Sequence, residues 1–286
     1  MIELFVNGVF VGALYALFGL GLAVTFGLMK QINLAHGDFI VLSAYVAWLI
    51  VAETGLNPLL ALPIVALAMF VVGYSLQRVV LNRAVGRGVM PPLLVTFGFS
   101  IVLQNSLLML FSADTRSLDP GEIGSAAFLI GPLSIGVMPM FFFLFSLIVF
   151  AGTAAIFART SFGRAVRATA DDGRTARLMG IDGRKIFAVA LGVSTGLSAI
   201  VAIFLGMRST FSPSSGPERL LFAFEAVVLG GLGSIWGTFF GGLLLGIAQA
   251  IGLAFAPIYG PLAGHVIFLA ALLVRPQGLI ARRSWT

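Results

Sequence analysis

The chain has 286 residues, of which 59% are hydrophobic and only 10% are charged, and its mean hydropathy is +1.07. A water-soluble surface needs roughly 25% charged residues, so these values exclude an ordinary soluble domain. The sequence has no cysteine and only two histidines, which excludes disulfides and thiolate metal sites, and no metal centre is predicted. The net charge of +6 would suggest nucleic-acid binding in a soluble protein. Its distribution instead indicates a membrane orientation signal, and no nucleic-acid partner is predicted.

Nine apolar segments follow one another along the chain, and several approach the ~20 residues that cross a ~30 Å hydrocarbon core as a helix. Continuous apolarity favours helices over the alternating pattern of a β-barrel. The first segment lacks the features of a cleaved signal peptide and is expected to remain as a span. We predict an all-α, polytopic membrane protein, a single domain over residues 1–286 with about 8–9 transmembrane helices, some of them broken. The segments are 4–28, 36–52, 59–79, 91–112, 134–157, 186–207, 218–235, 237–256 and 261–275.

The basic residues are distributed unevenly between the two sides that these segments define. Fourteen of the 17 fall on one side, and the positive-inside rule makes that side cytoplasmic. The N-terminus is therefore predicted outside and the C-terminus in the cytoplasm. The fourteen are Lys30, Arg78, Arg83, Arg87, the seven basic residues from Arg159 to Lys185, Arg275, Arg282 and Arg283.

Glycines recur at a spacing of four, which places small residues on one helix face and is typical of close helix packing in lipid. The stretch VVLGGLGSIWGTFFGG (227–242) is also dense enough in glycine to break a helix and expose backbone groups to a solute path. A second break is predicted at MKQINLAHGDF (29–39), and the two stretches are candidate equivalents in an internal inverted repeat. The glycines with this spacing are Gly8 and Gly12, Gly233, Gly237 and Gly241, and Gly242 and Gly246.

The most charged internal segment is a predicted cytoplasmic loop over about residues 158–185. Its stretch RATADDGRTARLMGIDGRK (167–185) predicts a short helix over 170–179. Thr169 is the expected N-cap with Asp172 at the third position, and Asp171 and Asp172 complement the positive end of the helix dipole. An orientation signal alone would need only unstructured basic residues, and this remains the alternative.

The other end of this helix has its own signals. Arg174 and Arg177 lie toward its C-terminus, and Gly180 is the expected left-handed residue that ends it. The apolar patch of the helix is small, since it consists of Ala176, Leu178 and Met179, and it is too small to anchor the helix deeply in lipid. Asp182 is expected to cap the next membrane helix.

Polar residues inside apolar segments are costly in lipid and usually face a protein interior or a water-filled cavity. They give a predicted solute path. The alternatives are structural pairing for Glu225 and interfacial capping for His36 and Asp38. Gln104, Asn105 and Gln249 can instead join helices by hydrogen bonds, and His265 can serve packing. The residues of the predicted path are Asn33, His36, Asp38, Gln104, Glu225, Gly230, Gly231 and Gly233.

Three motifs in this order resemble the branched-chain amino-acid permease family of ABC importers, in the shorter of its two permease types. They are INLAHGDF (32–39), RTARLMGI (174–181) and VVLGGLGSIWGTFFGGLLLG (227–246), and NGVFVGALYALFGLGLAVTFG (7–27) is similar to that family's first helix. The charged loop resembles the segment by which such permeases contact their ATPase. The resemblance covers nearly the whole chain.

The resemblance implies a multi-pass protein of a bacterial or archaeal cytoplasmic membrane, in contact with membrane lipid. Its implied partners are a second homologous permease subunit, two cytoplasmic ATPase subunits and an extracytoplasmic solute-binding protein. ATP and Mg²⁺ would bind to the ATPase subunits and no cofactor to this chain, which contains no GxxxxGK[ST] motif and no predicted catalytic residue. The implied ATPase contacts are Asp171, Asp172, Arg174, Arg177, Leu178, Met179 and Gly180.

The implied solutes are branched-chain or other hydrophobic amino acids. A permease for amides, urea or small organic acids is the first alternative, because such relatives carry similar motifs. A secondary transporter is the second alternative, but it would not need a capped cytoplasmic helix.

Overall fold

The computed structural model describes residues 2–29, 32–84, 88, 90–130 and 133–280. Within these ranges, apolar helices alternate with short connections, and two further helices lie in the charged loop. The helices are α1 (Ile2–Met29), α2 (His36–Thr54), α3 (Pro58–Val79), α4 (Met90–Phe111), α5 (Val137–Arg159), α6 (Ser161–Asp171), α7 (Gly173–Leu178), α8 (Gly183–Arg208), α9 (Gly216–Gly230), α10 (Ile235–Phe255) and α11 (Tyr259–Val274). Strands β1 (Ala127–Ile130) and β2 (Leu133–Gly136) form an antiparallel hairpin.

Seven of the described helices are long and apolar enough to cross a membrane, namely α1, α2, α3, α4, α5, α8 and α10. The all-α, polytopic prediction is confirmed, and every predicted apolar segment contains one helix. α9 and α11 are shorter, with 15 and 16 residues. The predicted segment 134–157 begins too early, because Leu133–Gly136 pairs with β1 and α5 starts only at Val137. The single domain stays a prediction.

The most extensive helix–helix contact in the described bundle joins α1 and α10, which run antiparallel. Glycine residues allow the two backbones to approach closely. A β-carbon added at Gly8 would lie 2.9 Å from Ala250 Cβ, and one added at Gly12 would lie 2.6 Å from Leu243 Cα. Neither position has room for a larger side chain. The predicted role of the four-residue glycine spacing in close helix packing is therefore confirmed for these two residues.

The helices before and after the charged loop repeat one arrangement with reversed direction. The packing of α1 along α10 corresponds to the packing of α8 along α3. In the same way, the contact of α2 with α8 corresponds to the contact of α9 with α1. α2 and α9 begin side by side, and a β-carbon at either Gly37 or Gly216 would overlap the other helix. The counterpart of the break at 29–39 is thus the connection 209–215 before α9. It is not the glycine-rich stretch 227–242, which forms the turn between α9 and α10.

The two ends of the bundle carry different connections. At one end Asn82 Nδ2 donates to the Arg184 carbonyl at 3.3 Å, and Gly27 of α1 lies against Gly233. At the opposite end Arg116 and Phe211 form an antiparallel bridge. The first end holds the described basic residues of the loops after α3 and α5, so the structure groups them as the orientation argument requires. The side on which that end lies stays a prediction.

Candidate functional site

The charged loop folds as two helices rather than the one predicted over 170–179. α6 is capped by Thr160, whose hydroxyl oxygen accepts from the Gly163 N–H at 3.1 Å. Thr169, the expected cap, lies inside α6 and its hydroxyl donates to the Ala165 carbonyl at 2.8 Å. The prediction of a Thr169 cap is wrong, because Thr160 has the extended backbone that a capping residue needs.

The second helix, α7, is short and is capped by Asp172. One Asp172 carboxylate oxygen accepts from the Arg174 N–H at 2.9 Å and from the Thr175 N–H at 3.1 Å. The hydrogen bond from the Thr175 hydroxyl, followed by these backbone N–H groups, holds the pKa of the Asp172 carboxyl below its ordinary value. Asp171 is the last residue of α6. The two neighbouring aspartates therefore end one helix and start the next, instead of sharing one helix start.

The predicted C-terminus of the segment is confirmed. Gly180 has a φ of +82°, its N–H donates to the Arg177 carbonyl at 3.0 Å, and the Ile181 N–H donates to the Ala176 carbonyl at 3.0 Å. This is the pattern of a Schellman motif, in which a left-handed glycine closes the helix end. Asp182 also caps α8 as expected, since its carboxylate accepts from the Arg184 N–H at 3.0 Å.

One side of this α6–α7 segment is fixed to the bundle and the other is exposed. α6 buries Val166 against the ends of α1 and α5, and the Arg167 guanidinium donates to the Phe157 carbonyl of α5. At the tip of α7, Leu178 and Met179 are 82% and 79% exposed. Large apolar side chains exposed outside the membrane spans are typical of a surface that contacts another protein.

A hydrogen-bonded link connects the start of α8 with the end of α3. Asn82 donates from Nδ2 to the Arg184 carbonyl and accepts at Oδ1 from Gln77 Nε2, at 3.3 and 3.1 Å. Gln77 is buried and lines a small cavity together with Asn33, Thr25 and others. Neither Gln77 nor Asn82 was predicted as a site residue. Their signal in the sequence is weak, since both stand where an apolar segment ends and polar residues are ordinary.

The break before α2 is held by specific polar contacts. Asn33 Oδ1 accepts from the Ala35 N–H at 3.0 Å, and the Leu34 N–H donates to Thr96 Oγ1 of α4 at 3.2 Å. His36 Nε2 bonds to the Phe18 carbonyl of α1 at 2.8 Å. Because Phe18 lies well inside α1, α2 begins deep in the bundle rather than at the membrane surface expected for interfacial capping.

Asp38 is the buried carboxyl of this region. It lies in the first turn of α2 against Gly216 at the start of α9, with Ser100 and Gln104 of α4 facing it. Its Oδ1 atom has no hydrogen-bond partner within the part of the chain that the structure describes. The positive ends of two helices thus meet beside a carboxyl group with free acceptor capacity.

The remaining residues of the predicted solute path lie elsewhere. Glu225 is nine residues along α9 from Gly216, a distance of about 13 Å, and its Oε1 pairs with His265 Nδ1 of α11 at 2.6 Å. Gly230 packs against Gly237, and Gly231 and Gly233 have φ values of +102° and +84° in the turn between α9 and α10. The structure therefore brings Asn33, His36, Asp38 and Gln104 into one region but not Glu225 or these three glycines.

The sequence could not show that Glu225 and His265 meet, because they are 40 residues apart on different helices. Gln104 Nε2 donates to the Ser100 hydroxyl and Asn105 Nδ2 donates to the Ile101 carbonyl, and both contacts lie within α4. Gln249 instead joins two helices, since its Oε1 accepts from the Tyr15 hydroxyl of α1. Among the residues described here, no group of three or more histidine, aspartate or glutamate side chains is arranged to hold a metal ion.

A bundle of apolar helices long enough to cross a membrane, with a structured, exposed segment at one end, defines a polytopic membrane protein. Residues 4–275 match the family described as branched-chain amino acid transport system, permease component, and the chain belongs to that family. No solved structure matches the chain significantly.

Three curated relatives illustrate the similarity. The BraD branched-chain amino acid permease protein of Pseudomonas aeruginosa is 32% identical, over 97% of this chain and 94% of its own. The LivH permease protein of Escherichia coli K12 is 28% identical, over 96% and 94%. The LivM permease protein of the same organism is 26% identical, over 93% of this chain and 68% of its own. The chain is thus a transport permease component, similar over nearly its whole length to BraD and LivH.

Proposed function

We propose that the chain is the permease subunit of an ATP-driven importer of small organic solutes in a bacterial or archaeal cytoplasmic membrane. Two cytoplasmic ATPase subunits bind ATP and Mg²⁺, and a separate solute-binding protein delivers the solute from outside. A second homologous permease completes the pathway. LivH and LivM are both described as permease proteins of a high-affinity branched-chain amino acid transport system in one organism, which supports this pairing. The chain itself carries no cofactor in this proposal and catalyses no reaction.

The observation that carries the proposal is the α6–α7 segment. Its two helices are capped, one side is packed on α1 and α5, and its tip exposes Leu178 and Met179. A loop that served only as an orientation signal would need none of this order. The surface proposed to contact the ATPase comprises Asp171, Asp172, Arg174, Arg177, Leu178, Met179 and Gly180.

In this proposal, motion of the ATPase reaches the spans through two sets of contacts. The first is α6 itself, through Val166 and Arg167. The second is the link from the Arg184 carbonyl through Asn82 to Gln77, which ends beside the break before α2. We propose that the solute path runs beside this break and Asp38, where a helix break deep in the bundle provides polar groups away from lipid.

The solute class that we propose first is branched-chain or other hydrophobic amino acids, because BraD, LivH and LivM are described as branched-chain amino acid transport permeases. Uptake of leucine, an amide and urea should be compared in vesicles that contain the assembled transporter and its binding protein. Leucine uptake supports this solute class, and uptake of urea or the amide alone would replace it.

The ATPase contact is tested by exchanging Leu178 and Met179 together for serine. ATPase co-purification should fall at least tenfold, because the apolar tip is lost while the caps remain. Leu129→Ser is the matched control, since Leu129 is 80% exposed but lies in the β1–β2 hairpin at the other end of the bundle. Unchanged co-purification of the double variant would show that the exposed tip does not hold the ATPase, and the proposal would lose its main support.

The solute path is tested by Asp38→Asn, which keeps the size of the side chain and removes its charge. Transport should fall at least tenfold while ATPase co-purification stays normal. Asp119→Asn, in an exposed connection, is the control and should transport normally. Normal transport by the Asp38 variant would contradict a path beside this residue.

A further inference from the structure

An ionisable pair lies within the spans at a surface of the bundle. The Glu225 side chain is only 2% exposed, whereas the side chain of His265, bonded to it at 2.6 Å, is 33% exposed. The second Glu225 carboxylate oxygen, Oε2, is buried and has no partner in the described part of the chain. The His265 ring stacks on Phe222, and Phe222 stacks on Tyr15 of α1.

His265 stands at the edge of an exposed stripe on α11. The stripe consists of Leu262, Val266, Leu269 and Leu273, whose spacing places them on one face of the helix. α11 packs against α9 and α10, and this stripe faces away from both. An apolar groove between α9 and the end of α11 is lined by Leu229, Ala271 and Leu272 among others.

Hydrocarbon is a poor environment for this surface. A partly exposed imidazole bonded to a buried carboxyl brings a polar, ionisable group to the exterior near the middle of α11, and such groups normally face protein or water. The exposed face of α3 provides the comparison, because its residues Leu60, Ile64, Leu67 and Val71 are entirely apolar. A face of the α3 kind suits lipid, whereas the α11 face suits a protein neighbour.

We propose that the α11 face containing Leu262, His265, Val266 and Leu269 contacts the second permease subunit. This inference rests on the proposed function, which requires such a subunit within the membrane. The partner supplies apolar side chains for the stripe and a hydrogen-bonding group for the exposed side of the His265 ring. The buried Glu225 is then a positioning residue, which fixes the imidazole at the interface.

The test uses the absence of cysteine in the chain. Val266→Cys, on the α11 face, and Leu67→Cys, on the α3 face, are each labelled with a benzophenone maleimide in the complete transporter in membranes and illuminated. The two sites are 54% and 67% exposed, so they are matched in accessibility. We expect an adduct with the second permease from position 266 and only lipid adducts from position 67.

A second measurement separates an interface from a fold requirement. His265→Leu should lower co-purification of the second permease at least fivefold. The variant also leaves the buried Glu225 carboxyl without its partner and so lowers the thermal stability of the isolated chain in detergent, and co-purification is therefore compared at a temperature at which that chain is still folded. His265→Gln keeps a hydrogen-bonding group and should restore co-purification. If His265 faced lipid, His265→Leu would leave co-purification of the second permease unchanged, because leucine suits lipid better than histidine does.

Lipid adducts alone from position 266, or normal assembly of the His265→Leu variant, would overturn the interface while leaving the proposed function intact. An adduct with the second permease from position 67 would also overturn it. If the unaltered chain assembles with no second permease at all, the proposed function itself fails. The co-purification of the unaltered chain thus distinguishes the two failures.

Discussion

Alanine in place of Gly180 should misdirect the end of α7 while leaving every membrane span intact. Gly180 has a φ of +82°, and a β-carbon added there would meet no atom within 4 Å. The substitution therefore creates no clash, and its cost comes only from the left-handed backbone, at about 1–2 kcal/mol for a residue with a β-carbon. That energy lowers the ratio of native to non-native helix ends by a factor of about 5–30.

Gly173 provides a matched control in the same segment. It also has open space around a β-carbon, but it lies at the start of α7 with a helical backbone. Gly173→Ala should therefore leave the segment unchanged or slightly stabilised. Gly180→Asn is an intermediate case, because asparagine tolerates the left-handed region better than alanine does.

The assay is co-purification of the ATPase together with solute-stimulated ATP hydrolysis by the reconstituted transporter. If only the native helix end engages the ATPase, Gly180→Ala should lower the stimulation, by at most about 30-fold. Gly173→Ala should match the unaltered chain. Equal stimulation in the two variants would refute the reasoning, since it would show that the geometry of the α7 end does not matter for coupling.

Three further predictions concern other parts of the account. Cysteines at Met179 and Ser117 should react with membrane-impermeant reagents from opposite sides, and labelling of both from outside would contradict the predicted orientation. The pKa of Asp172 is lowered in the folded chain, so its capping of α7 should be present above the ordinary aspartate pKa and lost as pH falls through the lowered value. Proteolysis of the segment should therefore increase at acid pH in the unaltered chain, whereas Asp172→Asn should lack that pH dependence. Asn82→Ala removes the link to α8 and should reduce solute-stimulated ATP hydrolysis severalfold without releasing the ATPase, and normal stimulation would exclude this route.

The features that were predictable from the sequence are those that local residues determine. The helix ends at Gly180 and Asp182 follow from the need for a left-handed residue and for a side-chain acceptor, and the structure has both. The apolar segments predict the membrane helices, because a segment that crosses lipid must satisfy its backbone hydrogen bonds internally. The split of the charged loop into two helices is not predictable because Thr160, Thr169 and Asp172 are all suitable caps, and the extended backbone of Thr160 and Asp172 decides between them.

The features that were not predictable depend on which helices meet. Glu225 looked like a path residue, and its partner His265 became apparent only from the packing of α9 on α11. The equivalence of the breaks before α2 and α9 rests on the crossing at Gly37 and Gly216, for which the surrounding sequences give little signal. Nothing in the local sequence indicated that Asp38 lies deep in the bundle rather than at the membrane surface.

The account depends most on a contact between the tip of α7 and an ATPase. The direct measurement is photo-crosslinking from a benzophenone-labelled cysteine at Met179 in the complete transporter, with Leu129→Cys in the β1–β2 hairpin as the control. The two sites are 79% and 80% exposed. The account predicts an adduct of Met179→Cys with the ATPase subunit and none from Leu129→Cys. Absence of an ATPase adduct from position 179, in a complex that contains the ATPase and hydrolyses ATP, would contradict it.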